Sequence, residues 1–174
     1  MNDQPSAQPN DQPSNQPQLT HMNEHGHASM VDVSSKPITA RGAIARGRVQ
    51  ISKALADRIN ANDIAKGNLI DVARLAGIMG AKKTGELIPL CHPLGLDSVS
   101  VEIELEGTTM HIEAQTKCSG RTGIEMEALT AVSIAALTIV DMGKAVDKTM
   151  VIEGIRLVEK WGGRSGHFKV EESS

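Results

Sequence analysis

The chain has 174 residues and a formal net charge of −3, long enough for one domain with a sizeable core and too acidic for a general nucleic-acid binder. With one Trp, one Phe and no Tyr, aliphatic and Met side chains must fill that core. Cys91 and Cys118 show neither a CxxC nor a zinc-type spacing, no apolar run reaches membrane-spanning length, and the start lacks the basic and apolar blocks of a secretion signal, so reduced thiols in a cytoplasmic protein are expected.

Residues 1–29 are rich in Gln, Pro and Asn and carry His21, His25 and His27. They offer little to bury, so a disordered tail with adventitious metal contacts is expected there. A folded domain over 30–161 follows, and the glycine-rich run from Gly162 to Gly166 opens a flexible tail over 162–174. Ile38 to Ile51 reads as a strand. Ser52 is a natural N-cap for a short helix through Ile59. Leu69, Val72, Ala73, Ala76 and Met79 stand at helical spacing and predict a second helix over Leu69 to Lys82.

Val99, Val101, Ile103 and Leu105 then alternate with polar residues, Gly107-Thr108 makes a turn, and Met110, Ile112 and Ala114 alternate again: a β-hairpin with one polar face. Thr122 and Glu125 form a capping-box pattern ahead of a long helix over Gly123 to Val140 that is apolar almost all round. One small sheet covers only one side of such a helix, so a second subunit is expected on the other. A last strand runs from about Met150 to Lys160. Merging the two adjacent helices gives βαββαβ, an α+β, ferredoxin-like plan: an antiparallel four-stranded sheet with helices on one face.

Several motifs bear chemistry. Leu87-Ile88-Pro89-Leu90-Cys91-His92-Pro93-Leu94 holds a thiol and an imidazole between two prolines that stiffen the chain. It reads either as an active-site arm or as a buried loop with a satisfied histidine. Gly77 to Thr84 lacks the second glycine of a P-loop and ends a helix instead of opening one, so that motif is rejected. Lys82 and Lys83 remain as solvated surface lysines or an anion attractor. Asp141 and Lys144 share a helical face, as a surface ion pair or, given the apolar turns before them, a partly enclosed proton-transfer pair. Glu125 and Glu127 suit a helix N-terminus on dipole grounds alone. They lie far from Asp141: 14 positions of helix span about 21 Å, the limit of what one nucleotide could touch. Two chains about a two-fold axis would remove that difficulty.

The blocks Met30-Val31-Asp32-Val33, Leu87 to Leu94, Gly123-Ile124-Glu125-Met126-Glu127-Ala128-Leu129 and Asp141-Met142-Gly143-Lys144-Ala145-Val146, with the terminal Gly162-Gly163-Arg164-Ser165-Gly166, closely resemble the MoaC family of molybdenum cofactor biosynthesis, the cyclic pyranopterin monophosphate synthases. The resemblance covers roughly Leu19 to Gly166. It implies a ferredoxin-like lyase that converts 3′,8-cyclo-7,8-dihydro-GTP, supplied by an upstream radical GTP cyclase, to cyclic pyranopterin monophosphate with release of pyrophosphate. It further implies a hexamer, a trimer of dimers with sites between subunits, and no nucleic-acid or membrane partner. By matching positions, Leu90, Cys91 and His92 form one substrate-binding segment, and Glu125, Met126 and Glu127 a second. Asp141 matches an active-site acid and Lys144 an essential lysine. Lys66 matches another functional lysine, and Arg41, Lys82 and Lys83 match basic residues near the phosphates. A chemical role for His92 as a proton carrier is expected beside Asp141, Lys144 and Lys66. Gly143 stands where some relatives carry a side chain. No cofactor is required on this reading, no dedicated metal-ligand cluster is visible, and Mg²⁺ could accompany the substrate phosphates.

Two other classes compete. A ferredoxin-like RNA-binding module would stack bases on strand aromatics, which Trp161 and Phe168 at the far end of the chain do not supply. A non-catalytic nucleotide-sensing domain would keep the basic groups and tolerate loss of Lys144.

Overall fold

The computed structural model describes residues 26–64, 68–164 and 166–171. Residues 1–25 of the expected tail over 1–29, with His21 and His25, and the candidate Lys66 lie outside the described residues. The chain divides into two units, Met1–Val31 and Asp32–Ser174. In the first, residues 26–30 are exposed and Val31 is half-buried.

The second unit is α+β. Its elements are β1 (Thr39–Gln50), α1 (Lys53–Asn60), α2 (Leu69–Lys82), α3 (Thr84–Leu87), β2 (Ser98–Glu106), β3 (Thr109–Gly120), α4 (Glu125–Gly143), β4 (Val151–Trp161) and β5 (Phe168–Lys169). The strands form one sheet in the order β2-β3-β1-β4-β5, antiparallel at every pairing. The sheet therefore has five strands where four were expected. The fifth is a two-residue edge strand in the stretch read from sequence as a tail, and it pairs Phe168 with Lys160 and Lys169 with Glu159.

Period-two alternation separates the two faces of the sheet. Met110, Ile112, Ala114, Thr116 and Cys118 of β3 point inward, as do Val101 and Ile103 of β2. Glu102, Glu104 and His111 stand on the open face. There Arg46 meets Glu113 at 2.7 Å and Arg48 meets Glu153 at 2.9 Å across neighbouring strands.

The helix layer rests on small residues. Ala43, Ala45, Gly47 and Val49 line the inner side of β1, and a Cβ at Gly47 would stand 2.8 Å from Val132 Cγ1 of α4. Facing them, α4 buries Ala128, Ala131, Val132, Ala135, Ala136 and Ile139. One flank of it is covered by α2. A Cβ at Gly77 of α2 would lie 2.9 Å from the Ala131 carbonyl oxygen, and one at Gly80 would lie 2.7 Å from Ile134 Cγ1. Helix α4 is thus packed on the sheet and, along one flank, on α2, while Met126 and Leu137 on its remaining side are exposed in the single chain. At 19 residues and a mean hydropathy of 1.5, α4 is long and apolar enough to cross a membrane. No apolar run of that length was expected, and the packing of α4 accounts for its apolarity as a core helix.

The inner face of α2 differs from the expected one. Leu69, Ala73, Gly77, Gly80 and Ala81 are buried, whereas Val72 is 42%, Leu75 60% and Met79 57% exposed. Small residues won the inner face because only they allow the close approach to α4. The helix start at Asn68, whose side chain accepts from Asp71 N, supplies a cap that the apolar pattern did not point to. Ser52 caps α1 as expected, accepting from Leu55 N.

Trp161 closes the sheet by laying its indole against Gly42 of the neighbouring β1, with no room for a Cβ there. Gly42→Ala should therefore lower unfolding stability by about 1–3 kcal/mol through overpacking. Adding Trp161→Leu should recover part of that loss, read as urea midpoints of the two variants. Equal midpoints for wild type and Gly42→Ala would contradict this packing.

Candidate active site

The Pro-flanked arm lies between α3 and β2. It leaves α3 through hydrogen bonds from Ile88 N to the Thr84 carbonyl (2.9 Å) and from Cys91 N to the Ile88 carbonyl (3.0 Å). Pro93 packs back on α3, its Cα 3.1 Å from where a Cβ of Gly85 would stand. Beyond the arm, Asp97 N donates to the Lys117 carbonyl (2.9 Å) and Asp97 Oδ2 accepts from Ser119 Oγ (3.1 Å). Both ends of the segment are thus tied to the fold, and Leu90, Cys91 and His92 between them are half-buried.

Opposite the arm stands the start of α4. Thr116 Oγ1, buried on β3, donates to the Ile124 carbonyl at 3.2 Å and pins that start to the sheet. The expected capping box is absent. Ile124 is the N-cap and makes no side-chain cap bond. Glu125 is the first helical residue, too early for the third position that the box requires. Its carboxylate folds back over Gly123 and pairs with Lys160 Nζ at 3.2 Å. Met126 is exposed, and Glu127 is buried at 4% exposure.

Electrostatics join these groups into one cluster. Burial pushes the Glu127 carboxyl above the usual carboxylate range, its own backbone amide opposes this, and Glu125 adds to it. Burial raises the Cys91 thiol, and the Glu127 charge raises it further. Cys118 is raised likewise, by burial and then by Asp97 and Glu127. Asp32 sits below its ordinary range because Ser34 N donates to it, with a smaller contribution from His92. Arg41 of β1 braces the same end of the molecule: its Nε donates to the Gly120 carbonyl (2.9 Å) and its Nη2 to the Arg121 carbonyl (3.2 Å). Gly163 passes against that guanidinium. A left-handed φ of 73° at Gly163 lets the chain turn there, a conformation open to glycine.

The remaining candidates lie apart. Lys82 and Lys83 end α2 and are exposed, and Lys83 Nζ is paired with Glu86 at 2.9 Å. Asp141 and Lys144 sit at the far end of α4 and form an ion pair at 2.6 Å. Their side chains are 55% and 61% exposed within the single chain. The expected partial enclosure is therefore not found there, because the apolar turns before the pair face the sheet and α2, not the pair. The open-face groove lined by Arg46, Gly47, Glu102, Glu104, His111 and Glu113 holds none of the sequence-predicted site residues.

Sequence reasoning missed Lys160 and Asp32. Lys160 lies 35 residues from Glu125 and meets it only through the sheet, so no local spacing announces the pair. Asp32 fell inside a matched block, but nothing local linked it to His92.

The cluster can hold a polar ligand at the arm and the α4 N-terminus, with burial favouring the protonated form of the Glu127 carboxyl. A raised carboxyl pKa makes folding less favourable as pH climbs from the ordinary Glu range through the raised value. Glu127→Gln should therefore raise the melting temperature at about pH 8 and leave it nearly unchanged at about pH 4, where both forms are neutral. A melting temperature lowered equally at both pH values would show that the carboxylate is structurally required.

The MoaC family model matches residues 30–163. A cyclic pyranopterin monophosphate synthase of Chloroflexus aggregans is 57% identical over 159 residues, covering 90% of this chain and 96% of the relative. One of Heliobacterium modesticaldum is 57% identical over 156 residues, covering 88% and 98%. One of Parvibaculum lavamentivorans is 53% identical over 156 residues, again covering 88% and 98%. With the Cys-His arm and the buried Glu127 at one end of α4 and the Asp141–Lys144 pair at the other, this chain belongs to the MoaC family.

Proposed function

We propose that this chain acts as a cyclic pyranopterin monophosphate synthase, a lyase of molybdenum cofactor biosynthesis. The carrying observation is near-full-length identity of 53–57% to relatives of that name, with every candidate site block present. The substrate is 3′,8-cyclo-7,8-dihydro-GTP from the upstream radical GTP cyclase. The purine-derived rings rearrange to a pterin, and pyrophosphate leaves as the cyclic phosphate closes. The strand order β4-β1-β3-β2 with two helices on one face supports a ferredoxin-like arrangement extended by β5.

The roles are those the family resemblance implies, and chemistry supports them. Leu90, Cys91, His92, Glu125, Met126 and Glu127 hold the heterocycle, with His92 also able to carry a proton. Arg41, Lys66, Lys82 and Lys83 supply cations for the triphosphate. Asp141 and Lys144 move protons, the Asp holding the ammonium in place. Mg²⁺ on the substrate phosphates is compatible with this scheme, and no protein-bound cofactor is invoked. Among the described residues, no group of three or more His, Cys, Asp or Glu side chains stands in metal-binding array.

The length of α4 shapes the assembly. Glu127 and Asp141 are about 21 Å apart along the helix axis. We therefore read each site as shared by two chains, within a trimer of dimers. The exposed Val72, Leu75 and Met79 on α2 and Leu137 on α4 offer apolar surface for such contacts.

Incubation with the cyclised dihydro-GTP should yield pyrophosphate and the pterin product. Lys144→Ala should still bind substrate but lose about 10²-fold in turnover, as for loss of a general acid–base group. Lys144→Arg should not recover it, because a guanidinium stays protonated. Equal losses of affinity and rate, or strong recovery by Arg, would make Lys144 a phosphate-binding charge only.

A further inference from the structure

The turn after α4 carries a buried carboxylate that the scheme above does not use. Asp147 is 4% exposed. Its Oδ2 accepts from Ser52 N at 2.6 Å, and its Oδ1 accepts from Thr149 N at 2.8 Å and Thr149 Oγ1 at 2.7 Å. All three partners are donors, and each bond is charge-assisted. Ser52 is the N-cap of α1, so the carboxylate joins the start of that helix to the loop leaving α4.

The backbone of Asp147 is fixed from the other side. Asp147 N and Val146 N both donate to the Gly143 carbonyl, at 3.0 and 2.9 Å, and Lys144 N donates to the Val140 carbonyl at 2.9 Å. Leu55, in the first turn of α1, packs on Gly143, its Cδ2 only 2.6 Å from where a Cβ would stand. Lys144 thus sits between two attachments of α4 to α1, the Leu55–Gly143 contact before it and the Asp147–Ser52 bond after it. A helix terminus without such attachments frays.

We propose that Asp147 is a positioning residue, which staples the turn after α4 to the N-terminus of α1 and so fixes where Lys144 presents its ammonium. This role rests on the synthase reading for its consequence in turnover, but the staple itself can be measured without substrate. The hydrogen-bond partners of the Asp147 carboxylate are Ser52 and Thr149, and it acts through Lys144.

Asp147→Asn tests it with little change of shape, because an amide must aim its NH₂ at one of the three donors and break at least one bond. Amide hydrogen exchange of the full-length protein without substrate should quicken by about tenfold or more at Ser52 and Thr149. With the cyclised dihydro-GTP, kcat should fall about tenfold while KM stays within about twofold, as for a misplaced catalytic group. Thr149→Val, which removes only the hydroxyl donor, should lower kcat a few-fold, and Thr149→Ser should keep it. The Thr149 pair decides the matter if Asp147→Asn does not fold. Unchanged kcat alongside a lower melting temperature would overturn the proposal, leaving a stability bond only. So would a rise in KM alone, or unchanged exchange at Ser52 and Thr149. A wild-type protein that does not turn over the substrate would defeat the synthase reading and with it the positioning role, while the exchange result would still judge the staple.

Discussion

The structure depends on the close packing of α4. Its inner side is nearly all alanine, and it lies against a strip of small residues on β1 and against the glycines of α2. Small side chains on both surfaces allow near-contact of backbones and leave little freedom to slide, since interiors are close-packed and a single methylene is felt. The helix thereby becomes a rod of fixed length with a fixed register on the sheet. Every candidate catalytic group on it inherits its position from that packing.

The rod explains why the chemistry separates into two groups. At its N-terminal end, Thr116 and the strands place Glu127 in a buried pocket beside the Cys-His arm, where desolvation raises the carboxyl and the thiol alike. At its C-terminal end, Asp141 and Lys144 stand largely in solvent, tied to each other. A buried half with raised carboxyl and thiol and an exposed half that supplies a paired ammonium are complementary only when brought together. A rigid helix cannot bend them into one site, and the proposed sharing of each site by two chains would bring them together.

Most of the element plan was legible in the sequence because strict periodicities carry it. The hairpin alternation, the Ser52 cap and the bounds of α2 needed only local pattern. Three features were not legible for physical reasons. The capping box at Thr122 was a local match that a tertiary ion pair, Glu125 with Lys160, overrode. The buried face of α2 was misassigned because hydrophobic periodicity ranks Val72 and Met79 above Gly77 and Gly80, whereas close approach to α4 favours glycine. The edge strand β5 has two residues and no period to read. The site followed the same division: the Cys-His arm and the Asp141–Lys144 spacing were visible locally, while Lys160 and Asp32 reach it only through the fold.

Complementation between two inactive variants tests the shared site most directly. Glu127→Gln and Lys144→Ala, each purified and nearly inactive, would be unfolded together, refolded as a mixture and assayed with the cyclised dihydro-GTP. If each site takes Glu127 from one chain and Lys144 from another, half of the randomly paired dimers regain one intact site, and activity should return to about a quarter of wild type. A mixture no more active than its parents, from chains shown to have exchanged, would place both groups of each site in one chain and contradict the account.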